Sequence, residues 1–169
     1  MYHSHVNEVR QHAAGLVGAL IVRDGTAPLV DDYTFMLKAP RASPGSNSLE
    51  VNGQVNPDTI VVRAGTPTRL RFISLAAFHP NATFWLTTRP DSSFANRPDS
   101  LVVQWRPVAK DGADLPETAR TPRLARQLVS MGETYDFAFT PTTHGVMRIE
   151  IRAGGAAGNL LARVPVRVQ

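Results

Sequence analysis

The chain contains no cysteine among its 169 residues. Disulfides, iron–sulfur clusters, thiolate nucleophiles and thiolate-held metals are therefore excluded, while the redox compartment stays open. Lysine is scarce as well: 16 of the 18 basic residues are arginine, spread singly from Arg10 to Arg167. Without a basic run or a basic–aromatic stripe, a net charge of +4 leaves no footprint for nucleic acid. No stretch approaches the ~20 apolar residues of a membrane span, and there is no glycine-rich phosphate loop. Arg10 followed by the mostly apolar residues 13–22 has the outline of a secretory signal, but Glu8 occupies the region that should be positive. Arg23 and Asp24 stand where small residues should precede a cleavage site. The segment therefore reads as a buried strand ending at a polar turn, and no signal peptide is read in this chain.

What is present suits a globular β protein. An apolar fraction of 43% and a charged fraction of 19% support an ordinary hydrophobic core, and the length suits one domain plus an extension. Helical periodicity is confined to residues 6–13, where Val6, Val9 and Ala13 recur at helical spacing and Gly15 is placed to stop the helix. The remainder reads as short strands at 33–37, 49–51, 59–63, 68–74, 83–88, 101–109, 127–130, 134–140, 146–152 and 160–168. Asn52-Gly53 and Asp111-Gly112 are tight-turn dipeptides, and residues 40–48 form a loop rich in proline, serine and glycine. Residues 68–73 alternate polar and apolar side chains, as a half-buried strand does. Strands at this spacing, with no long helices between them, predict an all-β sandwich or barrel. Trp85, Trp105, Phe72, Phe84, Phe137 and Phe139 are assigned to its core or sheet faces.

The feature that carries chemistry is Tyr2-His3-Ser4-His5. In an extended backbone, side chains two apart leave the same face, their Cα atoms about 6.6 Å apart. Two imidazoles so placed can serve one metal ion or two adjacent ones, and imidazole suits copper. Taken with Gln11, Gly15-Leu16 and Gly18-Ala19-Leu20-Ile21-Val22, the stretch from Tyr2 to Val22 resembles the second copper-binding motif of multicopper oxidases, the laccase-like enzymes. Further along, Val51-Asn52-Gly53, Gly65 to Ile73, Val108 to Gly112 and Met131 to Phe137 resemble, in order, the strand pair, Asp-Gly turn and Gly-Glu-x-Tyr-Asp strand of a cupredoxin-type domain.

The resemblance implies a Greek-key β-sandwich of cupredoxin type at residues 33–169, without a copper site of its own. Residues 1–28 would be the C-terminal remnant of a preceding cupredoxin domain. In the family, a trinuclear centre takes eight histidines from four His-x-His-type motifs. The resemblance maps His3 and His5 onto the second motif, each ligating a different member of the type 3 copper pair. Copper is thus the implied cofactor, but its site is incomplete: the first motif would precede Tyr2, and the late His-Cys-His segment needs a cysteine. The expected function is that of a fragment of a copper-dependent oxidoreductase, inactive alone and with no catalytic residue of its own. Its implied partners are the missing cupredoxin domain or domains, dioxygen and a reducing substrate, in a periplasmic or extracellular setting. The alternative is a metal-free β-sandwich used for binding or assembly.

The remaining histidines are given plainer roles. His12 is read as a surface or packing residue, and His79 and His144 as loop residues with no second ligand at short spacing. Asn81-Ala82-Thr83 has the N-glycosylation pattern, which matters only in a secreted eukaryotic protein. Were Met1 a free terminus, its α-amine, two backbone amides and His3 would together suit square-planar Cu(II) or Ni(II). The apolar run at 15–22 is expected to lack partner strands, so that removing residues 1–28 would raise solubility. The purified chain loaded with copper is expected to show no thiolate–copper absorption and no turnover of a phenolic substrate, as read by visible spectroscopy and oxygen uptake.

Overall fold

The computed structural model describes residues 1–23, 31–41, 46–88, 102–155 and 158–169. The elements are β1 (Tyr2–His3), α1 (Glu8–Ala13), β2 (Val17–Gly18), β3 (Asp31–Lys38), β4 (Glu50–Val51), β5 (Ile60–Val62) and β6 (Thr68–Leu75). They continue with β7 (Asn81–Thr87), β8 (Gln104–Lys110), β9 (Ala113–Asp114), β10 (Arg123–Leu124), β11 (Arg126–Ser130), β12 (Thr134–Phe139), β13 (Gly145–Ala153) and β14 (Leu160–Val168). Each strand read from the sequence has its counterpart here. Leu101 and residues 42–45 of the expected loop lie outside the described residues, as does the expected boundary at residue 28.

Apart from the two-stranded β1–β2 ladder, the strands form two facing sheets. One runs β10-β8-β12-β6-β3-β4, with β9 on β8, and the other β11-β7-β13-β14-β5. Along the sequence the chain passes back and forth between them, which makes the architecture a Greek-key sandwich. Most ladders are antiparallel, but β3 with β6 and β5 with β14 are parallel. A parallel pair needs a crossover, and here β4 to β5 supplies it by passing through the opposite sheet. Asn52 and Gly53 take φ of 52° and 82°, and Asp111 and Gly112 take 49° and 80°. Two successive positive φ values define the tight hairpin turns that these dipeptides predict.

Alternation along β6 decides which side chains enter the core. Leu70 and Phe72 are buried between the sheets, while Arg69 and Arg71 occupy the outer face. Phe72 sits at the centre of an aromatic cluster, its ring 4.2 Å from Phe84, 5.3 Å from Phe35, 5.6 Å from Trp105 and 5.9 Å from Phe137. Trp105 stacks on Phe137 at 4.0 Å. On the outer face of β6, Arg71 grips Asp32 with two bonds of 2.8 Å and reaches Asp136 at 2.6 Å. Its bond to Asp32, aided by Asp136, raises the pKa of this guanidinium above its ordinary value despite partial burial.

Residues 1–23 lie against that outer face. Met1 and Val17 pack on the buried side chains Met36, Ile73 and Leu75, and Arg23 pairs with Asp32 at 3.3 Å. This revises the expectation for the apolar run. Only Val17–Gly18 forms a strand, β1 is its partner, and the same stretch covers part of the sheet. Its far end stays bare: Leu20 is 66% exposed and Val22 86%.

Two outcomes follow from this packing. Phe72→Ala should lower unfolding free energy by about 3–5 kcal/mol, the range for emptying a buried aromatic site, as measured by chemical denaturation. Removing residues 1–28 should uncover Met36, Ile73 and Leu75, lowering Tm and raising binding of a hydrophobic dye, the reverse of the gain in solubility expected from the sequence.

Candidate metal centre

The site is built on the short β1–β2 ladder, where Tyr2 faces Gly18 and His3 faces Val17. The Tyr2 ring lies over position 18, so only glycine fits there without displacing it; a Cβ would stand 2.1 Å from the ring carbon Cζ. Extended backbone ends after His3. The Ser4 hydroxyl accepts the Val6 N–H at 3.2 Å and donates to the Gln11 side-chain oxygen. That serine turn bends the chain into α1 and ties the helix back to it. Gly15, at φ 102°, then reverses the chain into β2, and Leu16 N–H closes on Gln11 O at 2.9 Å.

The fold-back brings three imidazoles together. The rings of His3 and His5 lie 4.6 Å apart at an interplanar angle of 31°. His12 presents its ring edge-on to His3, 5.0 Å away at 87°. Ser4 O receives His12 Nε2 at 2.8 Å and His3 Nδ1 at 3.2 Å. A carbonyl oxygen can only accept, and it has two lone pairs, so each of these ring nitrogens carries its proton. In the neutral ring this leaves His3 Nε2 as the nitrogen able to ligate, the arrangement in which an N–H bond to a backbone oxygen orients a ligand imidazole. His5 Nδ1 lies 3.5 Å from Glu8 Oε1, an exposed and therefore weak pairing. Neither His3 Nε2 nor His5 Nε2 has a partner among the described residues.

These two nitrogens fit part of an imidazole copper shell and not a whole one. Among the described residues there is no group of three or more His, Cys, Asp or Glu arranged to hold a metal ion. His12 is buried, with its Nε2 engaged by Ser4 O. His79 donates Nε2 to Ser46 O at 3.1 Å, far along the chain in a loop. His144 is exposed before β13, and Met147 is buried in the core, so these two build no site. Asn81 begins β7 at the surface, and Thr83 Oγ1 is bonded to Gly154 O.

The rings of His3 and His5 are neighbours outside the sandwich interior, but not by the extended His3-Ser4-His5 backbone expected from the sequence: β1 ends at His3, and the turn at Ser4 brings the second ring alongside the first. What sequence reasoning underrated is His12, which is 6% exposed and braces Ser4. A histidine three residues before a helix-stopping glycine carries no mark of that role; only the fold-back onto β1 creates it. Lys38 was missed altogether. Its Nζ donates to Ala13 O at 3.3 Å and pairs with Glu50, and both charged residues are buried. Beside it a cleft of about 460 Å³ opens between the N-terminal segment and the sheet, lined by residues that include Val17, Ala19, Met36, Lys38 and Asn52.

Solved structures place this architecture among copper proteins. The chain is similar to the blue copper oxidase from Nitrosomonas europaea, at 20% identity and TM-score 0.67, over 98% of this chain and 54% of that one. It is similar to a laccase-like multi-copper oxidase from Ochrobactrum sp., at 21% identity and TM-score 0.58, over 83% and 31% of the two chains. Copper nitrite reductase from Nitrosomonas europaea matches at 12% identity and TM-score 0.68, over 96% of this chain and 59% of that one. At such identities the likeness is one of fold: the chain is a cupredoxin-type sandwich of the kind seen in multicopper oxidases and laccases. It spans roughly a third to three fifths of the length of these three proteins. No family model and no curated protein matches the sequence.

Proposed function

We propose that the chain supplies His3 and His5 as type 3 copper ligands to a centre whose other ligands come from polypeptide beyond these residues. The observation that carries this reading is the pair of neighbouring rings, each with Nδ1 facing an oxygen of its own chain and Nε2 left free. Two imidazoles leave a three- or four-ligand shell open, which is why copper chemistry here requires a complement. The domain assignment belongs to the same proposal: residues 1–28 close a preceding cupredoxin unit, and residues 33–169 are a second unit without its own copper. The parent activity would be that of a copper-dependent oxidoreductase using dioxygen and a reducing substrate, in a periplasmic or extracellular setting. When bound, copper would supply one-electron redox chemistry; this chain's residues orient two ligands and frame the approach to them.

The fold alone does not decide the matter, since it serves a nitrite reductase as well as oxidases. The alternative, a metal-free binding or assembly module, draws support from the exposed apolar side chains Leu16, Leu20 and Val22 of the N-terminal segment. Among the described residues no helix is long and apolar enough to cross a membrane.

Copper titration separates the two readings. Cu(II) should bind the full chain with electron paramagnetic resonance showing coupling to ring nitrogens. His3→Ala or His5→Ala should weaken binding about tenfold or more, since each removes a ligand from a two-imidazole set, while His79→Ala and His144→Ala should leave it unchanged. Equal binding by all four variants would favour the metal-free module.

A further inference from the structure

The N-terminal segment carries the two histidines, but the sandwich must hold that segment in place, and one buried charge does so at the helix end. The last carbonyls of a helix have no intrahelical donors. In α1, Arg10 O takes Ala14 N–H at 2.9 Å, Gln11 O takes Leu16 N–H at 2.9 Å, and His12 O takes Gly15 N–H at 3.0 Å. Ala13 O is the carbonyl left over, and it is met from the sheet by Lys38 Nζ at 3.3 Å. Lys38 is 7% exposed and Glu50 9%, and the two face each other across the β3–β4 ladder. Lys38 Nζ also donates to Ala39 O at 3.4 Å, and Glu50 Oε1 accepts the Arg41 N–H at 3.1 Å. The three N–H groups of this ammonium thus have three acceptors among the described residues, Ala13 O, Ala39 O and Glu50 Oε2.

We infer that Lys38, charge-balanced by Glu50, is a positioning residue for the His3–His5 pair. The coupling runs through named contacts. Lys38 fixes the carbonyl of Ala13, the neighbour of His12; His12 Nε2 fixes Ser4 O; Ser4 O also takes His3 Nδ1–H and lies between the two ring-bearing residues. Helix α1 has six residues and its Asn7 N-cap makes no side-chain capping bond, so it depends on its ties to the Ser4 turn and to the sheet. Buried ion pairs add little net stability when both partners are replaced by apolar groups of similar size, whereas removal of one partner leaves a costly orphan charge. The pair's role here is therefore to fix register. The inference rests on the metal-binding reading above and names what tunes it.

Three variants of the full chain test it. Lys38→Met with Glu50→Met removes both charges without leaving an orphan. Lys38→Glu with Glu50→Lys keeps the cross-strand pair but moves the ammonium off Ala13 O. His3→Ala with His5→Ala is the control for the metal site itself. Isothermal titration with Cu(II) and nitrogen-15 spectra of the histidine rings without metal are the two measurements. The first two variants should keep a cooperative thermal transition yet bind Cu(II) about tenfold or more weakly, the scale of lost outer-shell support. In the metal-free spectra both should convert His12 from a fixed Nε2–H form to a mixture of tautomers, a change that global stability does not produce. Copper affinity and His12 spectra both equal to those of the unaltered chain would overturn the positioning role. Should the unaltered chain bind copper no better than the His3/His5 control, the metal-binding reading falls and the positioning inference with it, whatever the Lys38 variants do.

Discussion

A short N-terminal segment keeps its shape only because the outer face of a sheet receives it. Strands β1 and β2 are two residues each and α1 is six, too little structure to stand alone in water. The sandwich supplies what they lack: an apolar seat at Met36, Ile73 and Leu75, and a buried ammonium at the end of the helix. The mutual placement of His3, His5 and His12 follows from that docking. Remove it and the three rings belong to a loop.

The sandwich itself has no such dependence. Its core is a continuous set of aromatic and aliphatic side chains around Phe72, closed by both sheets, with the N-terminal segment outside it. The outer face of β6 is divided between two uses, apolar toward Ile73 and Leu75, charged toward Arg69 and Arg71. The apolar half is what makes a docking surface, and the charged half borders it through the Arg23–Asp32 pair. One strand thus both builds the core and presents the seat for the segment that carries His3 and His5, because alternate side chains leave a strand on opposite faces.

Much of the fold was legible because its signals are local. Asn52-Gly53 and Asp111-Gly112 need positive φ at both positions, and few residue pairs other than these accept it, so the turns could be read without knowing what they join. The alternation in 68–73 carried over directly to β6. The run at 15–22 has the composition of a buried strand, yet the structure pairs only Val17 and Gly18, half-buries Ile21 and leaves Leu16, Leu20 and Val22 exposed. The two histidines were visible in the sequence as a His-x-His pair, but the turn at Ser4 that sets their rings side by side was not. Nor were the roles of His12 and Lys38, since each acquires its role from a partner distant in sequence: Ser4 for the one, Ala13 and Glu50 for the other.

The amino-acid sequence by itself determined where most strands lie along the chain, the hairpin turns, the absence of thiolate chemistry and the presence of two imidazoles two residues apart. These are properties of residue type and of neighbours a few positions away. Tertiary structure decided that Ser4 O is shared by two imidazoles, that His3 exposes Nε2 and not Nδ1, and that a buried lysine in the sandwich closes the helix carrying His12. Hydrogen-bond partners that fix a tautomer, and charges that survive burial, exist only once remote segments meet, and no local pattern encodes that meeting.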